Sequence, residues 1–144
     1  MYEYRDSGRS QLGSDMDGEA VVGYSGVAVS MDSAGDRVAI GAQLNDGTAS
    51  NAGHVRIYEY SSSSWSQLGS DIDGEAAGDY SGISVSINSD GDGVAIGANL
   101  NDDNGTDAGH VCINEYSTSS GTKLRIDIDG EAAGDNSGWS VSMN

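Results

Sequence analysis

With 23 acidic against six basic side chains in 144 residues, and a formal charge of −17, the chain lacks the clustered Lys and Arg that displace counterions from a polynucleotide. Binding to nucleic acid and attachment to an anionic membrane are therefore not expected. No apolar run approaches the roughly 20 residues of a membrane-spanning helix, so membrane insertion is not expected either. The one cysteine, Cys112, permits no intrachain disulfide.

The chain repeats itself. Met1-Tyr2-Glu3-Tyr4 returns as Ile57-Tyr58-Glu59-Tyr60 and again as Ile113-Asn114-Glu115-Tyr116, a period of 56 residues without slippage. A period of about 50 points to one supersecondary unit per repeat, stacked so that neighbours bury each other's faces. The expected organisation is one repeat array over 1–144, with units 1–56 and 57–112 and a partial unit 113–144, cut from a longer protein.

Apolar residues recur at every second position, not at spacings of three and four, so strands are expected and helices are not. In the first copy Val27, Val29 and Met31 put bulk on one face, while Ala28 and Ser30 leave the other small. Residues 65–72 read as a weaker strand, followed by the long turn 73–79. Ile83, Val85 and Ile87 alternate with Ser84 and Ser86 in the next strand. Residues 89–93, Ser-Asp-Gly-Asp-Gly, form a hairpin turn in which Gly takes positive φ without a Cβ clash. Val94, Ala95 and Ile96 begin a further strand ended by Gly97. The polar loop 101–107 then leads to a strand over 111–116.

Each unit thus holds four short strands. A sheet with one solvated face would carry Lys, Glu or Thr outward, whereas small Ser, Ala and Gly suit a face on which another sheet packs closely. Four-stranded sheets stacked radially meet this description, so the expected class is all-β, with tandem four-stranded antiparallel blades of an incomplete β-propeller. A β-solenoid is the competing arrangement. Two complete units, with two strands before and one after, leave unpaired edges and an apolar blade face, which invite self-association.

Here the chain resembles the FG-GAP repeats of the integrin α-chain propeller, and more closely their relatives in large secreted proteins of marine microbes. Tyr80-Ser81-Gly82-Ile83-Ser84-Val85-Ser86 stands in the place of the family's Phe-Gly-x-Ser-Val start. Val94-Ala95-Ile96-Gly97-Ala98-Asn99 matches its Val-x-x-Gly-Ala-Pro stretch, and Gly109-His110-Val111-Cys112-Ile113 its Gly-x-Val-x-Val strand. The first copy repeats all three. Tyr24 and Tyr80 replace the family's Phe, Asn136 takes that place in the third copy, and no Pro follows the Gly-Ala pair. The resemblance implies an extracellular or cell-surface propeller for adhesion or binding, with a protein or glycan ligand, and no enzyme. It also implies calcium sites on the loop between the first two strands of some units. The loop here, 88–93, has only Asp90 and Asp92 as acids.

Two other oxygen-rich segments are candidates for calcium, a hard cation that takes six to eight oxygens. Asp71, Asp73 and Glu75 alternate in one, and recur as Asp15, Asp17, Glu19 and as Asp127, Asp129, Glu131. Asp102, Asn104 and Asp107 cluster in the other, whose first-copy counterpart loses most of its charge. His54 and His110 share one repeat position, which points to a structural hydrogen bond at the start of a strand. Two histidines 56 residues apart indicate no Ser/His/Asp triad, and there is no Cys/His zinc spacing. Trp139 aligns with Ile83 and is expected in the core; Trp65 aligns with Arg9 and is expected to be partly exposed. The expected function is a noncatalytic extracellular binding or adhesion module. The alternatives are a purely structural spacer of a large secreted protein and the accessory propeller of a hydrolase.

Overall fold

A computed structural model of the chain describes residues 2–5, 8–116 and 123–144, and among these there are strands and turns but no helix. Strands β1 (Tyr2–Arg5) and β2 (Gly8–Gln11) form a hairpin. An antiparallel meander follows in β3 (Ala28–Met31), β4 (Arg37–Ala42), β5 (His54–Ser61) and β6 (Ser64–Gln67), with the short β7 (Ile72–Asp73) also paired to β5. The meander recurs as β8 (Ser84–Ile87), β9 (Gly93–Ala98), β10 (His110–Tyr116) and β11 (Lys123–Asp129). The all-β, blade-like reading holds.

Side-chain hydrogen bonds close the hairpin turns. Asp32 Oδ1 accepts from the backbone N–H of Gly35, Asp36 and Arg37. Asn88 Oδ1 accepts likewise from Asp92 and Gly93 at the equivalent turn. Both turns carry a glycine at φ 74°, Gly35 and Gly91, as the Gly-rich sequence predicts.

The expected continuous strand over 65–72 is broken. β6 ends at Gln67, Leu68 N–H donates to Ile57 O at 2.7 Å, and pairing resumes only at Ile72. Gly69, at φ 75°, turns the chain out of extended geometry. One repeat later Arg125 stands at that position, and β11 runs unbroken.

Cross-strand register sorts each sheet into two faces. Ala28 lies opposite Gly41 and Ser30 opposite Ala39, which makes one face small; Val29 opposite Ile40 and Met31 opposite Val38 make the other bulky. In the next sheet Ser84, Ser86, Ala95 and Gly97 form the small face, and Val85, Ile87, Val94 and Ile96 the bulky one. The bulky face of the second sheet packs on the small face of the first, where Val55 and Ile57 of β5 also project. Backbone polar groups join the contact: Ile87 N–H donates to Ser30 Oγ at 3.0 Å, and Met143 N–H to Ser86 Oγ at 2.9 Å. The same hydrogen bond is thus made twice, one period apart, the second time by a segment outside any ladder.

Trp139 departs from expectation. It is 66% exposed, whereas the core was its expected place. Residues 139–144 form no ladder among the described residues, so no strand pairing pins the indole against the neighbouring sheet. Trp65 is half-buried, with its Nε1–H donating to Leu12 O at 3.0 Å and its ring tilted against Tyr60.

Candidate functional site

Register places the start of β8, the end of β9, the start of β10 and the end of β11 at one end of the second sheet, because Ser84 pairs with Gly97 and His110 pairs with both Ala98 and Asp129. The first sheet is arranged alike, with Ala28 opposite Gly41 and His54 opposite both Ala42 and Asp73. The loops 43–53 and 99–109 and the linkers 74–83 and 130–139 therefore gather on one rim.

Backbone bonds lock linker to loop. Ser81 N–H donates to Ala52 O, Tyr80 N–H to Asn51 O and Gly78 N–H to Ser50 O. Ser137, Asn136 and Gly134 repeat these with Ala108, Asp107 and Thr106. Buried Asp79 reinforces the arrangement, accepting from Ala76 N–H at 2.9 Å and from Asn101 Nδ2 at 3.1 Å. These four segments hold eight of the 23 acids and no Lys or Arg, so the rim is negatively charged.

The six sequence candidates do not converge as one set. Asp71 accepts two bonds from Arg56, Nε to Oδ1 at 2.9 Å and Nη2 to Oδ2 at 3.0 Å. Asp73 is exposed and paired opposite His54. Asp102 Oδ1 accepts from Asp107 N–H at 2.7 Å, which shapes the loop, and Asn104 Nδ2 donates to Gly130 O at 2.7 Å, which ties the loop to the following linker. Of the six, Asp71 and Glu75 enter mixed clusters, and different ones; Glu75 lies with Asp103 and His110.

That cluster has a counterpart one period earlier in Glu19, His54 and Asp71. Two of its three members are repeat equivalents; the third is not. Asp103 comes from the rim loop, where the first copy has Gly47, whereas Asp71 precedes β7. The first cluster is closed by an internal cation, since the Arg56 guanidinium contacts both Glu19 and Asp71. Bonds from Arg56 hold Asp71 below the usual carboxylate range. Burial, with the Arg56 charge beside it, pushes His54 below the ordinary imidazole value, so it is neutral at pH 7.

In the second cluster Cys112 replaces Arg56, and the guanidinium arrives from β11: Arg125 contacts Glu75 and Asp127. Desolvation pushes Glu75 upward, with the charge of Arg125 opposing it. Desolvation also acts to raise Asp127, but bonds from Arg125 and from the Cys112 thiol hold it below the ordinary value. Burial pushes Cys112 up to about 11, so it is a thiol and a poor nucleophile.

His110 is the residue sequence reasoning missed as a site member. Its repetition suggested a hydrogen bond at the strand start, yet its Nδ1 has no hydrogen-bond partner and lies 3.9 Å from Glu75 Oε2. The available signal was the equivalence of Glu19 with Glu75 and of His54 with His110.

Residues 71–113 match the family model described as FG-GAP repeat, a stretch that runs from Asp71 through β8 and β9 into β10. No curated protein matches the chain.

Proposed function

We propose that this chain, which carries FG-GAP-type repeats, is a noncatalytic binding module displayed outside the cell, with its ligand taken on the acidic rim. The observation that carries the reading is the register, which brings the loops and linkers of both sheets to one end. A rigid stack presenting several loops side by side suits recognition of a protein or glycan surface, since binding residues concentrate on loops held by a scaffold. Calcium would act by ordering the loop of Asp102, Asn104 and Asp107. The test is a glycan and protein array probed with the chain and with a variant carrying Asp73→Asn, Asp129→Asn and Glu131→Gln, three exposed rim acids. Saturable binding lost in the variant supports the proposal. A melting temperature that rises with millimolar calcium but not magnesium supports the calcium part. Absence of binding across the array leaves a structural spacer, a role that the close stacking of the two larger sheets also favours.

We also propose that the open bulky face of the first sheet is covered by a second copy of the chain. Val29 and Val85 share a repeat position, yet Val29 is 63% exposed and Val85 9%. The second is covered by the preceding sheet, so the first offers a surface shaped for a unit of the same kind. Sedimentation velocity should show association that grows with concentration and is lost in Val29→Asp. A monomer at all concentrations contradicts it.

A further inference from the structure

We propose that Glu75, Asp103 and His110 form a binding site for a first-row divalent cation such as zinc. The carboxylate oxygens and the imidazole nitrogen lie within 4.8 Å of one another, brought together from the linker before β8, the loop after β9 and the first residue of β10. His110 points to a ligand independently of the acids. Its side chain is 4% exposed, and Nδ1 is left without a partner although a carboxylate stands 3.9 Å away. That separation is beyond hydrogen-bond range, and a buried polar nitrogen left unpaired is costly. A cation seated among the three donors would satisfy it.

The donor set selects the class of ion. An imidazole nitrogen with two carboxylates suits zinc and its first-row neighbours, whereas calcium and magnesium take oxygen ligands throughout. Three protein donors also leave a coordination position open for water or a partner's side chain. Glu75 is already oriented for the task. Its Oε1 is held by Arg125, and Oε2 is the oxygen that faces His110. Asp103 is steadied by the bond from its own N–H to Asn101 Oδ1 at 3.0 Å, and its loop by Asn104 Nδ2 on Gly130 O.

Comparison within the chain makes the assignment specific. The earlier cluster has the equivalent Glu19 and His54, but Arg56 bridges Glu19 and Asp71, and Gly47 offers no carboxylate where Asp103 stands. Among the described residues one such site follows, in the second cluster.

The experiment is calorimetric titration of the whole chain with zinc chloride, repeated with calcium and magnesium. One zinc per chain is expected, with affinity reduced about tenfold or more in both Asp103→Asn and His110→Gln and unchanged in His54→Gln. Asp103 is an exposed loop residue, so its variant tests the site without risk to the fold. Nitrogen-15 spectra of the imidazoles should show zinc shifting Nδ1 of His110 and leaving His54 unmoved. No saturable zinc uptake, which would mean that a bridging water satisfies Nδ1, overturns the proposal. So does uptake that survives Asp103→Asn, or two equivalent ions per chain. None of these readouts depends on the rim ligand, so either proposal can fail alone.

Discussion

The carbonyl oxygen of Gly82 lies 2.1 Å from where a Cβ on Gly41 would stand, and that of Gly138 lies 1.8 Å from the equivalent point on Gly97. In each sheet the linker that follows thus approaches backbone to backbone at a strand glycine, on the face that the strand pattern marks as small. Both neighbours are main chain, which cannot turn aside as a flexible side chain would. Gly41→Ala and Gly97→Ala are each expected to destabilise by about 3 kcal/mol or more, at or above the usual cost of overpacking. Gly23→Ala, where the nearest atom is 3.8 Å away, should change little. Urea denaturation of the three variants checks the contrast.

Val85→Ala is expected to cost about 1.5–3 kcal/mol, in the range for burial of a Val side chain. Val29→Ala, at the same repeat position, should stay within about 0.5 kcal/mol. Ile72 and Ile128 offer a second pair, 6% and 52% exposed, and the cost should again fall on the covered member. Thermal melts at low protein concentration, where self-association is minimal, give the comparison.

Asp71 links stability to pH. Its folded pKa lies below the ordinary 3.8 because Arg56 bonds to the charged form, so its contribution is present above that value and is lost as pH falls through the lower folded one. Around it stand Arg56, His54 and Gln67, with Glu19 on the far side of the guanidinium. Asp71→Asn should cost about 1.5–3 kcal/mol at pH 7, the range for hydrogen bonds to charged groups. That difference from the parent should shrink towards zero below pH 3.8, as followed by denaturation from pH 7 downwards.

Ser62 and Ser63 join β5 to β6 with φ of 52° and 67°, the left-handed pair of a type I′ turn. Serine is a poor choice there, and Asn-Gly is the preferred pair. Replacing Ser62 by Asn and Ser63 by Gly should stabilise by about 1 kcal/mol, since each left-handed L-residue costs roughly 1–2 kcal/mol. A higher urea midpoint with an unchanged slope is the expected reading.

The strands, the hairpin turns and the small and bulky faces were legible because they depend on neighbours in sequence. Alternation has period two, turns need Gly and Asp at fixed places, and a 56-residue repeat imposes one answer on every copy. The interruption between β6 and β7 was less visible, since Gly69 marks it only once its backbone angle is known. For the metal cluster, Glu75 was recognised as an acid and His110 as a repeated residue, but nothing joined either to Asp103. Those three residues meet through strand register and linker docking, which unite positions far apart along the chain. Burial was likewise beyond reach for identical residues: Val29 and Val85 have the same side chain and similar flanks, and differ in whether another sheet lies over them. A repeating chain can specify the shape of its unit, but coverage is a property of what stands next to that unit in space.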